Sequence, residues 1–161
     1  MKPTDESIYN RARRLANKAV WTIRLQCRRL QTTESEDSEI VFRRFADLDF
    51  LIVGLTRLKR ATNLAAKIPT ISNPLKEAMI EFDKSLPGLK EMRDAAEHID
   101  DYAVDEGRIK AIKKSGLEVK LIEGTKYEWL GYELDINKAL KSSEILFEAI
   151  RLNHPSRPRT S

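Results

Sequence analysis

At 161 residues the chain has the length of one ordinary domain and can bury a substantial core. Its 34% charged and 7% aromatic residues, with six glycines and six prolines, exclude a disordered chain and a loop-rich sandwich. The net charge of +4 is unevenly spread: residues 11–29 hold seven Lys or Arg and no Asp or Glu, whereas 34–39 and 94–106 are acid-rich. A basic face of that kind attracts polyanions such as RNA, although a solvated helix face has the same composition.

Thr4 or Asp5 caps a first helix that the periodicity carries to about Leu30. Ile8, Ala12, Leu15, Ala19, Ile23, Cys27 and Leu30 recur at spacings of three and four and form its buried face. Arg11, Arg14, Lys18 and Arg29 lie roughly opposite, with Trp21 and Leu25 among them, which makes either a contact surface or a second packing face. The single cysteine, Cys27, excludes an intrachain disulfide and a multi-cysteine zinc site, and its place on the apolar stripe assigns it to packing. Met1 to Arg14 has no apolar run before its charges, so no secretory signal is expected.

Thr32 to Ser38 reads as a polar turn in which Ser35, Asp37 or Ser38 can cap a second helix, from about Glu39 to Lys67. Its middle, Phe45 to Leu55, is apolar around most of the circumference, as expected of a helix central in a bundle or packed on a second subunit. The run Phe50–Val53 is too short to span a bilayer, so no membrane partner is expected and the cytoplasm is the default. Asp47 and Asp49 are expected to bond to nearby arginines, and beyond them Arg57, Lys59 and Arg60 return the surface to cationic.

Pro69 ends that helix, and Asn73-Pro74 starts a third, with Leu75, Met79 and Phe82 inward. Pro87-Gly88 interrupts the run, which resumes from Leu89 to Ala103 with Met92, Ala95, Ala96, Ile99, Tyr102 and Ala103 as its buried stripe. Residues 116–134 change character: Leu117 to Leu121 alternates, Gly124-Thr125 marks a turn and Tyr127 to Tyr132 favours strand. The pattern predicts a β-hairpin whose Leu117, Val119, Leu121, Tyr127 or Trp129 packs on the helices. Asp135 caps a last helix through about Asn153, with Ile136, Ala139, Leu140, Ser143, Leu146, Phe147 and Ile150 inward. The fold expected is therefore all-α, an antiparallel four-helix bundle with an added β-hairpin. One domain covers residues 1–153, and a flexible basic tail covers 154–161.

The segment Arg93-Asp-Ala-Ala-Glu-His98 carries the candidate chemistry. Metal-free RNA cleavage uses the neighbouring 2′-hydroxyl as nucleophile, so an enzyme must move protons and stabilise charge on the phosphate oxygens. An imidazole titrates near neutrality and suits the first task; a guanidinium grips two phosphate oxygens at once and suits the second. His98 and Arg93 are assigned those roles, Asp94 one turn before His98 can orient it, and Glu97 can restrain Arg93. Asp94–His98 and Arg93–Glu97 are also ordinary i,i+4 pairs worth a few tenths of a kcal/mol each. On one continuous helix Arg93 and His98 point roughly 140° apart, so a two-fold homodimer is needed to bring the two groups to one phosphate.

A bundle helix bearing Arg93, the polar Asp94 and His98 resembles the HEPN superfamily of small helical bundles. That resemblance implies a metal-independent endoribonuclease, a homodimer with both motifs in one cleft, and a role as toxin or defence effector. It covers residues 4–104 and the final helix. An antitoxin protein partner is implied with it, but toxins paired with a nucleotidyltransferase have a tyrosine two residues after the histidine, where this chain has Asp100. Tyr102, four beyond, falls on the buried stripe in a supporting position. Candidate RNA contacts are Arg14, Lys18, Arg28, Arg29, Arg57 and Arg60, with Trp21 as a stacking platform. The carboxylates Glu97, Asp100, Asp101, Asp105 and Glu106 lack the Glu-x-x-His pairs of a di-iron bundle, so no metal or other cofactor is expected. The rival reading is a catalytically inert dimeric scaffold or binding module of the same shape.

Overall fold

The computed structural model describes residues 3–32 and 38–155, with side chains described from Arg43 onward in the second helix. The proposed caps Ser35 and Asp37 and most of the basic tail lie outside those residues. The described chain is mostly helical, with one small antiparallel sheet.

Helix α1 spans Asp5–Gln31 and starts where the Thr4 hydroxyl accepts the Ser7 N–H, at 3.2 Å. Asp5 and Glu6 sit in its first turn and Arg28 and Arg29 in its last, both favourable to the helix dipole. It packs along α2, Ser38–Ala65. Ile23, Leu48, Leu51, Ile52, Leu55 and Leu58 are fully buried, each worth about 1.5–3 kcal/mol of transfer from water. Gly54 of α2 faces Ile23 of α1, where an added Cβ would lie 3.0 Å from the isoleucine side chain. Leu15 departs from the expected inward stripe and is exposed; Ala16, one residue on, takes its buried place between Ala12 and Ala19.

A short 3₁₀ turn at Pro69–Ile71 leads into α3, Ser72–Ser85, whose Leu75, Met79 and Phe82 face inward. Asn73 is not its cap: the N-cap is Ile71, and Pro74 lies third in the first turn, where no intrahelical N–H bond is required. Pro87-Gly88 then turns the chain into α4, Leu89–Glu97.

The single helix expected from Leu89 to Ala103 is two. His98 leaves helical geometry at φ −130°, ψ 39°, and α5, Ile99–Ala103, starts on a new axis. In a straight helix Asp94 and Tyr102 would be about 12 Å apart along the axis. The break lets the Tyr102 hydroxyl donate to Asp94 Oδ2 at 2.8 Å, while Ile99 is turned out to solvent.

The expected hairpin is a three-stranded antiparallel meander, β1 (Lys120–Glu123), β2 (Lys126–Trp129) and β3 (Tyr132–Asp135), in the order β1-β2-β3. Tyr127 to Tyr132 is not one strand, because Leu130 and Gly131 both have positive φ, 55° and 79°, and close a tight turn whose twist matches antiparallel strands. Tyr127 pairs with Leu134 and Trp129 with Tyr132. Tyr127, Trp129 and Leu134 are buried, and the Trp129 indole donates to the Leu117 carbonyl at 2.9 Å. Leu121, expected to pack, is exposed on the edge strand β1.

Asp135 ends β3 and caps α6, Ile136–Leu152, its carboxylate accepting from the N–H groups of Asn137 and Lys138. α6 lies against α1, α2 and α3, and the Tyr9 hydroxyl donates to the Ile150 carbonyl at 3.0 Å, tying the first helix to the last. Among the described residues, no helix is long and apolar enough to cross a membrane.

Candidate active site

α4 is short and amphipathic: Leu89, Met92, Ala95 and the carboxylate Asp94 are buried against the body, mainly on α2. A buried carboxylate needs partners, and Asp94 has three. The Tyr102 hydroxyl donates to it at 2.8 Å, an Arg93 Nη lies at 3.8 Å, and Arg108 reaches it at 4.0 Å. Tyr102, fully buried, also accepts the Ile109 N–H at 3.1 Å. Burial raises the phenol above its usual range, and the Asp94 carboxylate pushes in the same direction. Gly107 passes so close to the ring that a Cβ there would overlap it.

This network corrects the role first given to Asp94. Its carboxylate is bound to Tyr102 and the two arginines rather than turned to His98, because the break at His98 redirects the helix after Glu97. Glu97 does restrain Arg93, with its carboxylate 3.5 Å from a guanidinium nitrogen. Arg93 is therefore anchored from two sides with its side chain 23% exposed. His98 is exposed and has no hydrogen-bond or ion-pair partner for its imidazole among the described residues. One segment thus presents a positioned cation and, five residues on, an open imidazole.

The candidate RNA contacts fall into two groups. Arg14, Lys18, Trp21, Leu25 and Arg28 follow one another at spacings of four, three, four and three, a single stripe along the outer side of α1. Trp21 is 68% exposed and Leu25 43%, so neither is buried against another helix among the described residues. The Arg24 guanidinium lies 5.8 Å from the Trp21 ring centroid. Arg29 is not free: it bonds the buried Asp47 at 2.9 Å, with Arg43 on the same carboxylate. Asp47 is thus paired with arginines as expected. Arg57 and Arg60 are exposed on α2.

Arg60 and Arg93 line one cavity of about 430 Å³ between α2 and the α3–α4 turn, together with Lys59 and Lys90. His98 is not among its lining residues. Sequence reasoning missed Lys90, although its position just after Pro87-Gly88 at a helix start was visible. It also missed Arg108, whose approach to Asp94 from fourteen residues away has no local signal. No group of three or more His, Cys, Asp or Glu among the described residues could hold a metal ion. Cys27 is buried beside the Ile136 carbonyl, and burial pushes its thiol up to about 12. Compared with known proteins, the chain matches no family model, no curated protein and no solved structure.

Proposed function

We propose that the chain is a metal-independent endoribonuclease of HEPN type, an antiparallel four-helix bundle with an added small sheet, acting as a cytoplasmic homodimer. The observation that carries this reading is the break after Glu97, which leaves the His98 imidazole open to solvent five residues after an Arg93 held by Glu97 and Asp94. Holding the guanidinium in advance reduces the ordering needed to meet charge on a phosphate. The 2′-hydroxyl attacks the phosphorus and gives its proton to one His98, and the 5′-oxygen leaves with a proton from the second protomer's imidazole. Arg93 bonds the non-bridging oxygens as charge builds on them. The products are a 2′,3′-cyclic phosphate and a 5′-hydroxyl end. Asp94 and Tyr102 act through Arg93 as positioning residues. The cationic stripe on α1 offers the strand a path, and a role as toxin or defence effector would bring an antitoxin partner.

A second reading, a binding module without catalysis, is favoured by one feature: Arg93 also lines the cavity against α2, away from His98, and can hold an anion there unaided. Purified protein incubated with mixed RNA in EDTA separates the two. Arg93→Ala and His98→Ala are each expected to lower cleavage by about 10²–10⁴ with folding unchanged. Cleavage equal in all three proteins marks a contaminant and ends the nuclease reading. Size exclusion with light scattering is expected to give a dimer; a fully active monomer refutes the shared site.

A further inference from the structure

We infer that the cavity between α2 and the α3–α4 turn binds the phosphate group of a small hydroxylated phosphomonoester, such as a sugar phosphate. It is lined by four cations, Lys59, Arg60, Lys90 and Arg93, against two carboxylates, Asp83 and Glu91. Asp83 is already occupied by Lys59, at 2.6 Å. Arg60 and Lys90 have no ion-pair partner among the described residues, and against them stands the one unpaired lining carboxylate Glu91, so the cavity keeps a small positive excess. Arg93, also in the lining, has its two terminal nitrogens held by Glu97 and Asp94.

The backbone adds to this. α4 opens into the same cavity at Gly88, a residue with no side chain to cap it. The N–H groups of Lys90 and Glu91 find no carbonyl among the described residues. Arg60, Lys90 and a free helix start supply the donors that a dianionic phosphate takes up in a small space.

The rest of the lining defines what the phosphate is attached to. Thr56 and Asn63 offer hydrogen bonds to hydroxyls, and Leu86, Pro87 and Leu89 give an apolar wall. Among the described residues no aromatic side chain lines the cavity, which gives it no platform there for stacking a base. A volume of about 430 Å³ holds a five- or six-carbon sugar phosphate. Strand cleavage is not required for this binding, because His98 lies outside the cavity.

The test is titration of ¹⁵N-labelled protein with ribose 5-phosphate, ribose, inorganic phosphate and a short oligoribonucleotide, in the wild type and in His98→Ala. Ribose 5-phosphate is expected to shift the amides of Lys90 and Glu91 in both proteins, and ribose to shift neither. Lys90→Gln and Arg60→Gln are each expected to weaken binding about tenfold, while Arg151→Gln, on the far α6, leaves it unchanged. Inorganic phosphate binding as tightly as ribose 5-phosphate overturns the organic ligand. Shifts with the oligoribonucleotide alone overturn the small-molecule site, and binding unaffected by either variant overturns its location. Loss of RNA cleavage in His98→Ala with sugar phosphate binding retained separates this inference from the nuclease reading.

Discussion

Tyr102 shows how one side chain determines the state of the candidate site. Its hydroxyl donates to Asp94 and accepts from the Ile109 N–H, so it joins α4, α5 and the chain beyond them. Tyr102→Phe keeps the ring but leaves the buried Asp94 and the half-buried Ile109 N–H each short of a bond, an expected loss of about 1–3 kcal/mol in urea unfolding. A loss below about 0.5 kcal/mol would mean that Arg93 and Arg108 satisfy the carboxylate without the phenol. Periodicity placed Tyr102 on the buried stripe, but its partner was illegible, because an i,i+8 contact exists only where the helix breaks. The Cys27 thiol gives a second expectation. Its folded value of about 12 lies above the ordinary 9.0, so the unfolded chain loses the proton first and rising pH favours unfolding. This thiol's contribution is fully present below pH 9 and is lost as pH rises toward 12. Urea midpoints at pH 8 and pH 10.5 are expected to fall in that order, and a thiol reagent at pH 8 is expected to label only unfolded protein. Rapid labelling of the folded chain would refute the buried assignment.

The turn Pro87-Gly88 is the element on which the candidate cavity and the sheet both rest. Gly88 has φ +80°, and a Cβ there would lie 2.1 Å from the Tyr132 ring of β3. Gly88→Ala therefore carries a backbone cost of about 1 kcal/mol in addition to the overlap with the ring. In a Tyr132→Ala background the overlap is gone and only the backbone cost is expected to remain, which a double-mutant cycle reads as a coupling of the two sites. Additive effects would place the ring elsewhere. Elements were the most legible level of this chain. Thr4, Asp135 and the apolar spacings of α1, α2 and α6 predict those helices closely, because capping and period-3.6 burial are local and repeated. The break at His98 was hidden, since Arg93 to Ala103 has no Gly or Pro and keeps an apolar stripe. The third strand was hidden as well, because Leu130-Gly131 lacks the Asn-Gly or Asp-Gly pair that marks such a turn.

Over the whole molecule the issue is how a strand of phosphates could approach a histidine surrounded by acids. Glu97, Asp100, Asp101, Asp105 and Glu106 are all exposed near His98 and repel RNA locally. The compensating field lies elsewhere, on the α1 stripe of Arg14, Lys18 and Arg28 around Trp21, and on Arg57 and Arg60 of α2. α1 and α4 both pack on α2, so α2 is the element through which the stripe and the motif are held in one body. If the strand lies on the stripe, a base stacks on Trp21, and Trp21→Ala is expected to cost about 1–3 kcal/mol of single-stranded RNA affinity. Lys18→Gln is expected to lower the salt dependence by about 0.7 in the log–log slope, the value of one phosphate contact on a single strand. Neither change is expected to move the urea midpoint by more than about 0.5 kcal/mol, because both side chains are exposed. Fluorescence anisotropy of labelled RNA at several salt concentrations measures both effects at once. Affinity and slope unchanged in both variants would take the strand off α1 and leave Arg57 and Arg60 on α2 as its remaining route to His98.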